Sequence, residues 1–305
     1  MSSGAKVVTA YAKQTDIKAV PKTGWKTLPN ISNGLTVSAE LTESELVGGG
    51  RIAKQGMVTS AEVSGDIETE LMFGAFDELL AAAFWGEWNT TNPKLHTLSI
   101  GSAKSSFAIT KDFTDINVNH IFKGCVVSKL SLSVDTSNLA KVTFGFTGLG
   151  YDESTTKSFA VSPTVTPDST KASGLSVGNI KLNGAPIGVC VESISFELDN
   201  QTEVQKCLGD NIYGGNVLAM LANASGSMTI AYSPEAHEVL KKQITGQTLA
   251  LEFEIKFNEG EKYILKLPKI QVSGEIPSPS GKDLATADVN FTVVDESPVL
   301  EKHLP

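Results

Sequence analysis

Thr59-Ser60-Ala61-Glu62-Val63-Ser64-Gly65-Asp66-Ile67-Glu68-Thr69-Glu70-Leu71 alternates polar and apolar side chains almost throughout. Successive side chains of an extended strand point to opposite faces. Glu62, Ser64, Asp66, Glu68 and Glu70 therefore share one face, and Ala61, Val63, Gly65, Ile67 and Leu71 share the other. Four carboxylates in a row need water, so the pattern predicts a strand with a core on one side and a smooth acidic surface on the other. An ordinary solvated strand face is the plain alternative.

Working outward, the unit recurs about 160 residues later. Ser64-Gly65 is followed by a short apolar stripe over Phe76 to Trp85, and Ser225-Gly226 by a second stripe over Pro234 to Ile244. The first copy opens with a strand at Leu35 to Glu40, the second at Ile194 to Leu198. Strands at Gly124 to Asp135 and Leu139 to Thr147 close the first, and Lys269 to Ile276 and Ala285 to Val294 close the second. The anchor pairs are Glu78 and Leu80 with Glu238 and Leu240, and Val142-Thr143-Phe144 with Val289-Asn290-Phe291. In the second copy the face matching the acidic row is Asn223, Ser225, Ser227 and Thr229, small, polar and uncharged. The expectation is a mainly β (α+β) chain: two tandem β-sandwich modules, residues 1–151 and 174–305, each flanked by one short helix and joined by a linker at 152–173. Pro163 and Pro167 with many Ser and Thr interrupt the linker's periodicity, which predicts an exposed, mobile segment.

The 305 residues suit two domains, and the net charge of −9 lacks the basic footprint of a nucleic-acid binder. Residues 1–20 contain no continuous apolar h-region, and no stretch reaches the length of a membrane span; a soluble, unexported chain is expected. Cys125, Cys190 and Cys207 have no CxxC spacing and read as reduced thiols. His96, His120, His237 and His303 lack ligand-like neighbours, so no metal is expected. Gly48-Gly49-Gly50 lacks the Lys-Ser/Thr of a phosphate cradle, and no GxSxG or GxGxxG after a strand occurs; no catalytic residue or cofactor is assigned.

Two long loops are expected, Thr42 to Val58 and Asn200 to Leu221. Loops of this length in a compact domain usually have a use, and here the use would be reaching a neighbour. Val47, Gly48, Gly49, Gly50, Arg51, Ile52 and Met57 in the first, and Val217, Leu218 and Met220 in the second, are the candidate contacts.

The order of parts resembles the tail-tube protein family of long-tailed (siphovirus-type) bacteriophages. The resemblance rests on Glu45-Leu46-Val47-Gly48-Gly49-Gly50-Arg51, on Ser64 to Leu71 with Phe76-Asp77-Glu78-Leu79-Leu80-Ala81-Ala82-Ala83, and on Phe122-Lys123-Gly124-Cys125-Val126-Val127. It covers roughly Ile31 to Gly150 and reaches the second half through the repeat. It implies a non-enzymatic virion protein, made in the host cytoplasm, that self-assembles into stacked rings. Glu62, Ser64, Asp66, Glu68, Glu70, Asn223, Ser225, Ser227 and Thr229 would line a channel through which double-stranded DNA passes without adhering. With two modules per chain the ring would be a trimer, and the tape-measure protein and tail terminator would be partners. Competing readings are a β-sandwich adhesin, which predicts aromatic-rich exposed loops, and a β-sandwich glycosidase, which needs two carboxylates across a cleft.

Overall fold

The Thr59–Leu71 alternation forms most of one 17-residue strand in the computed structural model, which describes residues 2–46, 52, 54–166, 169–278 and 284–305. Among the described residues, the strands of the first half are β1 (Val7–Gln14), β2 (Lys26–Thr27), β3 (Ser32–Asn33), β4 (Thr36–Ser44), β5 (Lys54–Glu70), β6 (Asn89–Asn92), β7 (Leu95–Ser99), β8 (Ser106–Phe113), β9 (Val118–Asp135), β10 (Lys141–Gly148) and β11 (Gly150–Ser154). The second half holds β12 (Val177–Leu182), β13 (Ala185–Pro186), β14 (Val191–Asp199), β15 (Thr202–Gln205), β16 (Asn216–Ala219), β17 (Asn223–Ala231), β18 (Leu249–Lys256), β19 (Lys262–Gly274), β20 (Thr286–Val293) and β21 (Val299–His303). Helix α1 (Asp77–Ala83) follows β5, and α2 (Pro234–Thr245) follows β17. The protein is mainly β, with antiparallel strand pairing throughout the named strands.

Each helix sits where its sequence signals put it. Ser233 Oγ accepts the Ala236 N–H at 3.2 Å, Pro234 occupies the first turn, and Gly246 ends α2 in the left-handed region at φ 63°. In α1, Asp77 and Glu78 in the first turn complement the helix dipole, while Leu79, Leu80, Ala82 and Ala83 face the core.

The pairing order is the same in both halves. In the first, β1 pairs β8, β8 pairs β9, and β9 pairs β11 and then β10; β10 pairs β5, and β5 pairs β4. In the second, β12 pairs β18, β18 pairs β19, and β19 pairs β21 and then β20; β20 pairs β17, and β17 pairs β14. Long strands β9 and β19 each change partners along their length, and β9 passes from one sheet to another. Gly124, at φ 62° with its N–H held by Gln14 Oε1 at 2.6 Å, bends β9 where it passes from one sheet to the other. The halves are stitched together twice, by β9–β14 and by β7–β21. Their apolar faces meet in one buried cluster that includes Val63, Ile67, Phe144, Phe146, Phe196, Met228, Phe253 and Phe291, and full burial of each large side chain stabilises by roughly 1.5–3 kcal/mol.

Four expectations need correction. The described residues of Thr42 to Val58 lie mostly in a β4–β5 hairpin, not a loop: its ladder runs to Ser44–Lys54, because the alternation of β5 extends upstream of Thr59. Asn200 to Leu221 contains the β15–β16 hairpin. Residues 152–166 and 169–173 are exposed over much of their length, as expected, but are pinned at points: Thr164 N–H bonds the Trp25 carbonyl at 2.8 Å, Ala172 bridges Leu71 and Ala140 by backbone hydrogen bonds, and Ala172 is fully buried. The anchor pairing of Phe144 with Phe291 is two residues out, since Gly65 opposes Phe146 and Gly226 opposes Phe291. Strands β1, β8, β12 and β21 were not foreseen in the sequence, although they pair with β9, β18 and β19 or their neighbours in both halves.

Candidate functional site

The two polar rows lie on one face of one sheet. Its strands run β4, β5, β10, β9, β14, β17, β20, β19. Cross-strand partners share a face, so the register defines polar rungs running straight across the molecule. Glu68, Thr143, Ser131, Glu197, Ser225, Thr292 and Gln271 form one rung. Glu70, Lys141, Ser133, Ser195, Ser227, Asn290 and Ser273 form the next. Asp66, Gly145, Lys129, Asp199 and Asn223 make a third, and Asp135, Ser193, Thr229 and Asp288 a fourth. Ser64 and Glu62 continue the face toward Thr36 and Ser38 of β4.

The carboxylates divide into two groups. Glu62 and Asp66 are exposed. Glu68 meets Lys141 Nζ at 2.7 Å and Glu70 meets Lys171 Nζ at 2.8 Å, so these two are half-buried and neutralised in part, contrary to a row of four bare charges. The hydrogen bond and charge of Glu68 raise the Lys141 pKa above the ordinary lysine range. Lys129 pairs with Glu197 at 2.9 Å across the β9–β14 joint. Hydroxyls tie the remainder: Ser195 Oγ lies 2.9 Å from Ser227 Oγ, and Thr229 Oγ1 donates to Asp288 Oδ1 at 2.8 Å. Asn223 is exposed, whereas Ser225, Ser227 and Thr229 are half-buried among their neighbours. Gly145 makes room: a Cβ there would press on Asp66 Oδ1 and Lys129 Cβ.

Sequence reading missed the middle of this face, the Lys129, Ser131 and Ser133 row of β9 and the Ser193, Ser195, Glu197 and Asp199 row of β14. The signal was present as period-2 alternation in both strands. What no local pattern carries is that β9 and β14 lie side by side.

The second candidate feature is the β4–β5 arm. Beyond Val63, β5 leaves β10, and the described residues 40–46 and 54–60 of the hairpin have both faces in solvent. Met57 is 69% and Ile52 91% exposed, and Leu41 and Val58 are also exposed. Val47, Gly48, Gly49, Gly50 and Arg51 lie outside the described residues. Leu218 and Met220 are exposed in the β15–β16 region. Val217 is not available: at 1% exposure it packs with Trp85, Val126 and Leu149 inside its own chain.

One apolar cavity of about 30 Å³ is walled by Leu71, Leu80, Phe84, Val142, Phe196 and other apolar side chains. Among the described residues, no three His, Cys, Asp or Glu side chains could hold a metal ion together. No helix among them is long and apolar enough to cross a membrane. A search of curated proteins finds no match to the chain. A family model described as phage tail tube protein matches residues 4–293, nearly the whole length, and the chain therefore belongs to the phage tail tube protein family.

Proposed function

We propose that copies of this chain close side by side into a ring whose inner wall is the polar sheet face, and that rings stack through the β4–β5 arm to form the tail tube of a long-tailed phage. The observation that supports this reading is the unbroken set of rungs from Asp66, Glu68 and Glu70 on β5 to Asn223, Ser225 and Ser227 on β17. A wide barrel needs such a wall, polar on the lumen side and apolar behind. Duplex DNA carries one negative charge per about 1.7 Å of axis. A wall of hydroxyls and carboxylates, its few lysines tied to Glu68, Glu70 and Glu197, offers phosphates nothing to hold.

Residues 1–151 and 174–305 act in this reading as two equivalent modules joined by 152–173. Each brings four strands to the wall, β4, β5, β10 and β9 or β14, β17, β20 and β19. Three chains then give a pseudo-six-fold ring. A tape-measure protein and a tail terminator are the expected further partners in the virion, of which a phage tail tube protein is a structural component.

The test is charge reversal at the two carboxylates that have no lysine beside them. Phage carrying Glu62→Lys with Asp66→Lys should build tails of normal length and adsorb, then eject DNA slowly or incompletely, with the defect relieved by raised salt as counterion release weakens. Normal ejection kinetics from such virions would remove the two side chains from the channel wall. A six-chain ring in an image reconstruction would overturn the trimer.

A further inference from the structure

The β9–β14 joint inside the chain is repeated, with one strand missing, at the two ends of the polar sheet. On β9, one edge pairs β8 along its first part and β14 along its last part. On β19, the corresponding edge pairs β18 as far as Ile270, and from Gln271 onward no strand among the described residues occupies it. At the opposite end of the sheet, β4 pairs β5 on one side and no described strand on the other. The chain thus ends the sheet in a socket lacking its β14 and begins it with a strand lacking its β9.

The register says how they fit. Gly65 and Gly226 place β4 against β14: Ser38 opposes Glu62 and Asp199 opposes Asn223, so Ser38 corresponds to Asp199, Val37 to Leu198 and Thr36 to Glu197. The same alignment matches Ser273, opposite Asn290, with Lys129, opposite Gly145. Within the chain, Lys129 faces Asp199, Leu130 faces Leu198, Ser131 faces Glu197 and Leu132 faces Phe196. Resting on the ring reading above, we infer that β19 of one copy pairs antiparallel with β4 of the next, Ser273 facing Ser38, Gly274 facing Val37, Glu275 facing Thr36 and Ile276 facing Leu35.

Burial supports this occupant. Ile276 is 66% exposed, while its counterpart Leu132 packs against the core; Val37 is half-buried, while its counterpart Leu198 is fully buried. Both edges carry unspent apolar surface at the positions that the in-chain joint covers. Each edge is also guarded by a side chain, which keeps an open strand from pairing indiscriminately. Gln243 Oε1 accepts the Gly274 N–H at 3.0 Å, and Lys111 Nζ donates to the carbonyls of Asn33 at 2.8 Å and Leu35 at 3.3 Å. A second copy would replace the Gln243 contact with a ladder bond.

Cysteine trapping tests the register. In a background where exposed Cys190 and Cys207 are Ser, Ser38→Cys with Ser273→Cys places the two Cα atoms at about 4.5–5.5 Å in the proposed pair, within the Cα separation that a disulfide spans. Mild oxidation of assembled tubes should carry most of the chain into covalent oligomers on a non-reducing gel, whereas Ser38→Cys with Gln271→Cys should stay monomeric. Tubes seen by negative stain with no cross-link, or with the offset pair cross-linking instead, overturn the joint and leave the ring intact. Wild-type protein that never forms rings overturns the ring reading itself. Should the double variant not assemble, amide exchange of wild type decides: slowed exchange over Thr36 to Ser38 and Gln271 to Gly274 on assembly supports the joint, and unchanged exchange there rejects it.

Discussion

Gly65 and Gly226 hold the same place in two strand ladders. Each opposes a phenylalanine, Phe146 and Phe291, and at each a Cβ would collide with the backbone of the next strand over, the Gly34 carbonyl in one case and the Ser195 carbonyl in the other. Gly65 also has φ 148°, in the region that disfavours side chains.

Gly65→Ala and Gly226→Ala should each destabilise the fold by about 1–3 kcal/mol or more, the usual cost of overpacking a tight site. Gly246→Ala, where a Cβ has open space and only the left-handed conformation objects, should cost about 1 kcal/mol. Thermal unfolding of the three variants checks the ranking. Equal losses at all three would contradict the role of close strand approach.

Glu254 predicts an acid-sensitive part of the stability. Burial acts to raise its carboxyl, but hydrogen bonds from Lys262 Nζ at 2.8 Å and the Asn179 N–H, with the charges of Lys262 and Lys256, outweigh it and hold the pKa below the usual carboxylate range. A depressed folded pKa contributes stability above the unfolded pKa and loses it as pH falls through the folded value. Glu254→Gln should therefore be about 1–2 kcal/mol less stable at neutral pH, and the gap should close in acid. Urea unfolding across pH measures it; a gap that is constant with pH would exclude ionisation as its source.

Lys302 ties the last strand of the chain to the first helix. Its Nζ lies 2.5 Å from Asp77 Oδ2 and 4.9 Å from the centre of the Phe73 ring, and its side chain is nearly covered. Tyr263 completes the cluster, donating to Asp77 Oδ1 at 3.1 Å while accepting the Gly74 N–H. Breaking a buried pair costs about 3–5 kcal/mol. Asp77 is one-third exposed, so about 1–3 kcal/mol is expected for Lys302→Met after screening. Denaturant unfolding against wild type tests this, and an unchanged midpoint would show the pair to be dispensable.

The arm should matter for assembly and not for folding. Leu41→Ser with Met57→Ser changes side chains that already face solvent, and surface substitutions are usually within about 0.5 kcal/mol of neutral. A two-stranded hairpin alone is marginal in water, so in the free subunit its amides should exchange quickly and become protected in tubes. The double variant should melt like wild type and fail to polymerise under conditions where wild type forms tubes. Normal tubes from it would remove the arm from ring stacking.

The alternation of Thr59 to Leu71, the Ser233–Pro234 start and Gly246 end of α2, and the recurring Ser-Gly before each helix were legible in the sequence because each is set by neighbours within a few residues: strand pleat, helix cap and turn φ are local physics. The polar face could be read there too, since Glu62, Ser64, Asp66, Glu68 and Glu70 fall on one side of an alternating strand. The sequence alone could not say that Glu68 and Glu70 are matched by Lys141 and Lys171, that Val217 is consumed by Trp85 and Leu149, or that residues 152–173 carry the buried Ala172. Those depend on contacts between residues far apart in the chain, whose loop-closure cost and packing have no local signature. The joining of β9 to β14, which turns two polar rows into one wall, is of that kind: both strands alternate correctly with or without each other, and only burial of Leu130, Leu132, Phe196 and Leu198 beneath the joint decides that they pair.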